Sequence, residues 1–598
     1  MLKKTVRQML IAQIFSSLTV SLCLLIDNII IGRHLGVGAI AAYGLANPVL
    51  LLLGAIASML SAGVQVACSK SLGRGDQDGT NEGYSSAVAL TILISVPFTL
   101  LVLLLQSPLA TALGAGTEGT LFNDTRDYLR GFVIGAPASM GALILVPFLQ
   151  IAGKSTLLIA AVGGMTLGDI ALDLLNVYVF KGGMFGMGLA SSLSYYIALI
   201  IGLFYFLSKK CIFKFSLKNI HWKKIGELFK SGLPSVFSMA SIVILTFGVN
   251  NILLGLPDGG SDGVAAFSVI TTIGNSANCI TTGIGGVALT MMSILYQEQD
   301  RSGMESVIKQ LCIQALLLGA LVGGALIGAA PLIVKLFIPN PGEAQELTVF
   351  GIRLFALGLI PSCLCGALKN TYQAIGHPVY TEIISLAEGA LFPTLIAWIL
   401  SFPLQARGVF FYFFLGELTA LISLVIFCWI KNRRWPFPNM GMLLLNRDFS
   451  VPKEDIFQVT LSTIEEVTAA SEQVMKFCLE RGASQKAAYR ISLSVEEMGS
   501  NSVLHGFNKD NKKHVMSILV MYKENSWLLR FRDDCRAFDP IHYVPKKNKT
   551  DHLGIRMILA LADDAKYTYS LSMNNLAITI REHSLEETDP EPAIPVEA

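Results

Sequence analysis

The sequence predicts a polytopic α-helical membrane protein of twelve transmembrane helices in two six-helix lobes, followed by a small α/β two-layer soluble domain. Three observations carry this. Twelve apolar runs fill residues 1–430, each near the roughly 20 residues that cross a bilayer. Charge is unevenly spread: residues 1–430 hold 43 of the Lys, Arg, Asp and Glu side chains and residues 431–598 hold 45. A pattern in the first half also returns 223 to 224 residues later. The whole chain is 53% hydrophobic and 15% charged, against about 25% charge in a soluble domain. A purely soluble enzyme, a disordered chain and a fibre are excluded. A net charge of +2 gives no field for nucleic acid. The ten cysteines are scattered, without a disulfide framework or zinc spacing.

The runs lie near 10–32, 40–66, 85–106, 131–152, 156–180, 185–207, 233–256, 263–294, 311–334, 351–373, 380–402 and 408–430. The basic start, Met1 to Arg7, imitates a signal peptide. The run behind it is too long, contains Asp27 and is followed by eleven more, so it reads as the first membrane helix. Basic residues in short loops set the orientation. Lys3, Lys4 and Arg7 precede the first helix. Lys209, Lys210, Lys214, Lys218, Lys223 and Lys224 follow the sixth, and Lys431, Arg433 and Arg434 follow the twelfth. Even numbers of helices separate these places, so all face the cytoplasm. The expected setting is the inner or plasma cell membrane, with lipid around the helices. The domain plan is an N-terminal lobe over 1–207, a cytosolic loop and C-terminal lobe over 208–430, and a linker over 431–455. A soluble domain over 456–583 and a disordered acidic tail over 584–598 complete it.

The repeat aligns "DNIIIGRHLGVGAIAAY" from Asp27 with "NNILLGLPDGGSDGVAAF" from Asn250. Gly32 falls on Gly255, Gly63 on Gly286, Pro137 on Pro361, Gln150 on Gln373 and Gly153 on Gly376. Six helices per repeat make the two halves parallel, related by an axis along the membrane normal. Transporters built this way hold substrate near the midplane, between the halves.

Asp27, Asp169 and Asp173 lie inside apolar runs, where an ionised carboxylate is costly unless paired or hydrated. Asp169 and Asp173 are four apart and share a helical face. Like charges so close favour a shared proton or a cation between them, which is what ion coupling requires. The plainer reading is a polar residue hydrogen-bonding between helices. Glu382, Glu388 and Glu417 in the second half stand where they could contact a substrate or simply sit at an interface.

The span from about 8 to 430 resembles the multidrug and toxic-compound extrusion (MATE) family. Asp27 with Gly32 and Gly36, "AAYGLANP", "SLGRGD", "QIAGK", and "DIALDLLNVYVF" followed by "GMFGMGLASSLS" carry the resemblance, in that order. It implies export of a small, cationic or amphipathic molecule in exchange for H⁺ or Na⁺ by two rocking lobes. Asp27 and Asp173 match the family's acidic positions. Asp169 falls where asparagine is common and Ser191 where threonine is. The resemblance thus makes Asp27, Asp169, Asp173 and Ser191 the cation-coupling set. Asp27 aligns with Asn250, so the cation site is expected in the first half. "AGKST" at 152–156 and "GVGAIA" from Gly36 imitate phosphate-binding turns, but both join membrane helices.

Beyond the linker the pattern predicts a strand at 456–462, helices at 463–481 and 484–505, and strands at 514–522 and 526–532. A helix at 554–562 and strands at 566–572 and 576–582 follow. Gly482 and Gly506 are expected to end the two long helices as C-caps. "SVEEMGSNSVLHGF" sets Glu497, Asn501 and His505 on one helical stripe. A carboxylate there can act as a general base, and an amide oxygen can bind Mg²⁺. "RFRDDCRAFDP" follows a strand and "HLGIRMILALADD" opens a helix. This order resembles the ATP-binding domain shared by histidine kinases, gyrase and Hsp90, and specifically the anti-sigma-factor serine kinases. The resemblance implies a regulatory domain binding Mg·ATP. Glu497 would be the catalytic base, Asn501 the metal ligand, Asp533 the adenine contact and Gly554 part of the phosphate lid. The family's glycines after the aspartate are Cys535 and Ala537 here, and the lid's first glycine is Asp551 or His552, which predicts weak binding.

The expected function is cation-coupled export, regulated through the cytosolic domain and a cytosolic partner protein. The alternatives are a membrane-anchored serine/threonine kinase or anti-sigma-like switch that uses the transporter half as sensor, and a lipid-linked flippase.

Overall fold

The computed structural model describes residues 2–208, 211–256, 260–338, 342–433, 441–445, 449–507, 513–543 and 553–582. The chain divides near residue 447 into two compact units. The linker's Trp435 to Pro438, the lid positions Asp551 and His552, and the tail lie outside the described residues.

The first unit has eleven helices long and apolar enough to cross a membrane, and a bent pair that makes the twelfth. Spans 1 and 2 belong to the helices Leu2–His34 and Val37–Gly73. Span 3 is Gln77–Leu104, span 4 the pair Thr120–Val133 and Ala136–Ile151, span 5 Ser155–Phe180 and span 6 Gly183–Phe206. Spans 7 to 12 are Trp222–Leu254, Asp262–Gln297, Arg301–Phe337, Glu343–Ala374, Pro378–Phe410 and Tyr412–Asn432. The sequence places the fourth span near 131–152, whereas the structure begins it at Thr120. The structure bends it by 48° where Gly135 turns and Pro137 restarts the helix. Ser192 Oγ on span 6 accepts from the Gly135 N–H at 2.9 Å, satisfying the donor at the bend. Span 7 begins eleven residues before its apolar run because Ile225 and Leu228 are buried, so Lys223 and Lys224 ride on the helix.

The repeat is visible in the geometry. Asp76 caps span 3 by accepting from Gly79 N at 2.8 Å, and Asp300 caps span 9 by accepting from Gly303 N at 2.7 Å. A Cβ on either glycine would run into its own capping carboxylate. Gly153 and Gly376, aligned in the sequence, both take positive φ, at +68° and +93°, a conformation open to glycine at little cost. Gln150 donates to Gln13 Oε1 of span 1 at 2.6 Å, and Gln373 donates to Ser231 O of span 7 at 2.7 Å.

The second unit is a five-stranded antiparallel sheet covered by three helices. Its elements are β1 (Ile456–Leu461), α1 (Ile464–Glu480), α2 (Gln485–Asn501), β2 (Met516–Lys523), β3 (Ser526–Asp533), α3 (Leu553–Leu561), β4 (Asp564–Ser570) and β5 (Met573–Arg581). Strand order is β1-β2-β3-β5-β4. Alternate residues (Ile518 and Val520 on β2, Trp527, Leu529 and Phe531 on β3, Leu576, Ile578 and Ile580 on β5) form one apolar face. Val467 and Val474 of α1, Ile491 and Val495 of α2, and Ile555 and Ile558 of α3 cover it. Thr463 and Glu466 form a reciprocal capping box at the start of α1. Gly482 ends that helix at φ +83° as expected. Gly506 does not act as a C-cap. A π-helical turn over Ser502–Gly506 closes α2 instead, so its last carbonyls are met within the turn and no left-handed residue is required. Gly506 serves as a close contact for Cys535.

Candidate functional site

The membrane unit gathers three carboxyls from two helices. Asp27 comes from span 1, and Asp169 and Asp173 lie one turn apart on span 5. They are between 0% and 5% exposed, and Asp27 faces both of the others. Asp27 Oδ1, Asp169 Oδ1 and both oxygens of Asp173 have no hydrogen-bond partner. Three ionised carboxylates cannot be held in this way. Burial of like charges favours a neutral form or a bound cation. A cavity of about 30 Å³ adjoins it, lined by Asp27, Asp169, Ser191, Ser194, Cys23 and Tyr195 among others. That is room for one water molecule.

Local chemistry fixes the register. Span 5 ends in a π-helical turn, Asn176–Phe180, of the kind that marks functional segments. The Asn176 amide donates to Gly183 O at 3.1 Å and accepts from Gly182 N at 3.0 Å. The turn to span 6 is thereby held, and span 6 presents its serines to span 5. Ser191 lines the cavity as the sequence implied, but its hydroxyl donates to Met187 O at 3.4 Å on its own helix. Ser194, which the sequence reading missed, lies against Asp169. Its spacing of three from Ser191 was the available signal. Asp173, 0% exposed, is not among the lining residues.

In the second half Lys369 Nζ of span 10 meets Glu388 Oε2 of span 11 at 2.9 Å. Glu388 sits on a π-helical turn, Ala387–Leu391, and Glu417 Oε2 of span 12 is buried without a partner. Lys369, alone in an apolar run, was the unread signal. The lobes meet on the half that carries the basic loops. There Gln65 Nε2 of span 2 donates to Thr290 Oγ1 and Gly286 O of span 8 and to Gln150 Oε1 of span 4.

In the soluble unit a cavity of about 430 Å³ opens between α2, β3 and β5, within the size range of small-ligand sites. Asn501, His505, Asp533, Cys535 and Phe538 line it. Asp533 Oδ1 accepts from Asn574 Nδ2 at 2.7 Å and from Cys535 N at 3.0 Å, leaving its second oxygen for a ligand. Burial pushes the Asp533 carboxyl above the usual carboxylate range, while the Asn574 and Cys535 donors pull it back. Asn501 Nδ2 donates to Glu497 O at 2.7 Å, which leaves the amide oxygen available. Glu497 is not among the lining residues; its carboxylate packs against Gly554. Among the described residues no three His, Cys, Asp or Glu side chains form a metal centre, so a Mg²⁺ here would rest on Asn501 and the phosphates. Cys535 and Ala537 take no positive φ, so the backbone after Asp533 does not require the family's glycines. Asn574 and Tyr567 were not foreseen.

Two six-span lobes, the first with three clustered buried acids and the second with a buried acid–base pair, joined to an α/β domain with a preformed pocket, define a membrane transporter with a fused soluble domain. Residues 12–175 match the MatE family, and residues 460–580 match the histidine kinase-like ATPase domain. The membrane unit has the MATE fold, and the chain joins a MatE domain to a histidine kinase-like ATPase domain. It is 21% identical to the multidrug export protein MepA of Staphylococcus saprophyticus over 59% of this chain and 77% of that protein. To MepA of Staphylococcus aureus it is 21% identical over 66% and 86%. A crystal structure of MATE in complex with MaL6 superposes with a TM-score of 0.67 at 22% identity, covering 72% of this chain and 96% of the other. A MOP superfamily transporter from Pyrococcus furiosus superposes at 0.66 and 21%, covering 74% and 97%.

Proposed function

We propose that the protein is a proton-coupled antiporter that exports small, cationic or amphipathic molecules under the control of its nucleotide-binding domain. The observation that carries this reading is the buried trio of Asp27, Asp169 and Asp173, the first two lining a cavity sized for one water, with no basic partner among the described residues. Such a group changes its proton count when a neighbouring helix moves or water enters. Asp27 on span 1 and the pair on span 5 belong to the same lobe, so a shift of span 1 against span 5 within that lobe would tie proton uptake to the state of the cavity. The Gln65, Gln150 and Thr290 contacts close the cytosolic half, and their exchange with water would open it. The MepA relatives are named as multidrug exporters, in keeping with a hydrophobic, acid-bearing transport path.

The reading is tested in proteoliposomes loaded with a fluorescent organic cation. An imposed pH gradient drives efflux, and Asp27→Asn or Asp173→Asn reduces it to background with normal insertion. Efflux driven by Na⁺ alone would make sodium the coupling ion, and normal efflux in both variants would remove the trio from coupling. In the soluble domain Asp533 and Asn501 both line the pocket, where they would hold the base and the metal of Mg·ATP, which when bound supplies a phosphoryl group. Glu497, packed against Gly554, would orient or deprotonate a hydroxyl only after that contact rearranges. We therefore assign this domain regulation through binding. Phosphorylation of a cytosolic partner by the full-length protein, lost in Glu497→Ala, would favour the kinase reading.

A further inference from the structure

The loop after Asp533 holds its shape without the expected glycines, and the reason is one side chain. Asn574 stands directly across from Asp533 in the β3–β5 ladder. Its Nδ2 donates to Asp533 Oδ1 at 2.7 Å and to Arg536 O at 3.1 Å. Its Oδ1 accepts from Phe538 N at 3.0 Å and from the Tyr567 hydroxyl at 2.7 Å. Tyr567 also accepts from Phe538 N at 3.2 Å. An amide has two donor hydrogens and two acceptor lone pairs, and all four are used. Its orientation is not open, because a main-chain N–H fixes the oxygen end and a main-chain carbonyl fixes the nitrogen end.

We propose that Asn574, backed by Tyr567, is the positioning residue that makes this pocket selective for adenine nucleotides. The inference rests on the nucleotide-binding reading above. With Oδ1 of Asp533 committed to Asn574 Nδ2 and Cys535 N, the other oxygen is presented to the ligand as an acceptor. The exocyclic amino group of adenine satisfies it. Guanine would offer a carbonyl oxygen at the corresponding place, and two acceptors facing each other in a buried site are disfavoured. The same amide ties Arg536 and Phe538 together across the loop. The backbone beside the base is held by side-chain hydrogen bonds where the related kinases use glycine.

The test uses the full-length protein in detergent or nanodiscs, with binding of Mg·ATP and Mg·GTP measured by competition against a fluorescent nucleotide. The parent protein prefers ATP. Asn574→Ala weakens ATP by roughly tenfold or more, the value of a hydrogen bond to a charged group, and leaves GTP within about twofold. Unchanged GTP binding reports that the pocket is still folded. Asn574→Asp keeps the acceptor end and removes the donor end, and it loses ATP preference as Ala does. Tyr567→Phe removes one hydroxyl and falls between the parent and Asn574→Ala. A parallel fall of ATP and GTP in these variants, or ATP binding unaltered, overturns the positioning role. A parent that binds both nucleotides equally overturns this proposal alone. A parent that binds neither removes the nucleotide reading as well.

Discussion

In the first half of the membrane unit three carboxyls face one another with no base among them. In the second half, on the same helical scaffold, Lys369 neutralises Glu388 and a further acid, Glu417, lies nearby. The helices repeat, as do their caps, their left-handed glycines and their glutamines. The buried charge does not. Backbone devices such as the Gly153 and Gly376 turns are required by the chain path, so duplication of the path retains them. Side chains that exchange protons are required only where coupling occurs. The difference sets an all-acid cluster against an acid–base pair, and under the proposed coupling only the first would change its proton count.

The largest effect should come from neutralising one acid in each half. Asp173→Asn abolishes gradient-driven efflux, because it removes a titrating group and little volume. Glu417→Gln retains efflux within about fivefold of the parent, equivalent to roughly 1 kcal/mol of barrier. Flux under an imposed pH gradient gives both values. Loss of coupling in Glu417→Gln, with Asp173→Asn active, would reverse the roles of the halves.

Stability sharpens the same contrast. Lys369→Met leaves Glu388 buried and unpaired, at a cost of about 3–5 kcal/mol, read as a large fall in the detergent unfolding midpoint. Adding Glu388→Gln recovers most of it, since the stranded charge is gone. Asp27→Asn should leave the midpoint unchanged or raised, because no base loses its partner there. Equal destabilisation by Asp27→Asn would reveal a counter-charge in the first half and weaken the coupling assignment.

Much of this was legible in the sequence because membrane burial makes charge conspicuous. Asp27, Asp169 and Asp173 stand out in apolar runs, and the structure brings them together. Twelve spans and the succession of strands and helices in the soluble domain followed from run length and alternation. The bend in span 4 was hidden because Gly135 and Pro137 lie within an unbroken apolar run. Lys369 was readable but was not paired with Glu388, since a contact between spans 10 and 11 depends on packing and has no fixed spacing. Ser191 was expected to serve the ion with its hydroxyl; it lines the cavity, and donating to Met187 O leaves its oxygen lone pairs for a cation. Asn574 was invisible for the opposite reason: a single amide in a strand acquires its role only when the sheet places it opposite Asp533.

The smallest effect tests the shared part of the two halves. Asp76 and Asp300 cap spans 3 and 9 in the same geometry, and an N-cap aspartate is worth about 1 kcal/mol. They differ in setting. Asp76 is exposed, whereas Asp300 is 3% exposed and also accepts from Ser302 Oγ at 3.0 Å. Asp76→Ala therefore costs roughly 0.5–1 kcal/mol, the low end for caps in water. Asp300→Ala costs about 2 kcal/mol, because a buried N–H and a half-buried hydroxyl lose their acceptor together. Asn at either position keeps an acceptor and should recover most of the loss. Unfolding midpoints of the four variants decide it. If Asp76→Ala proves the costlier change, burial does not set the difference, and the two halves depart from each other in their scaffold as well as in their charge.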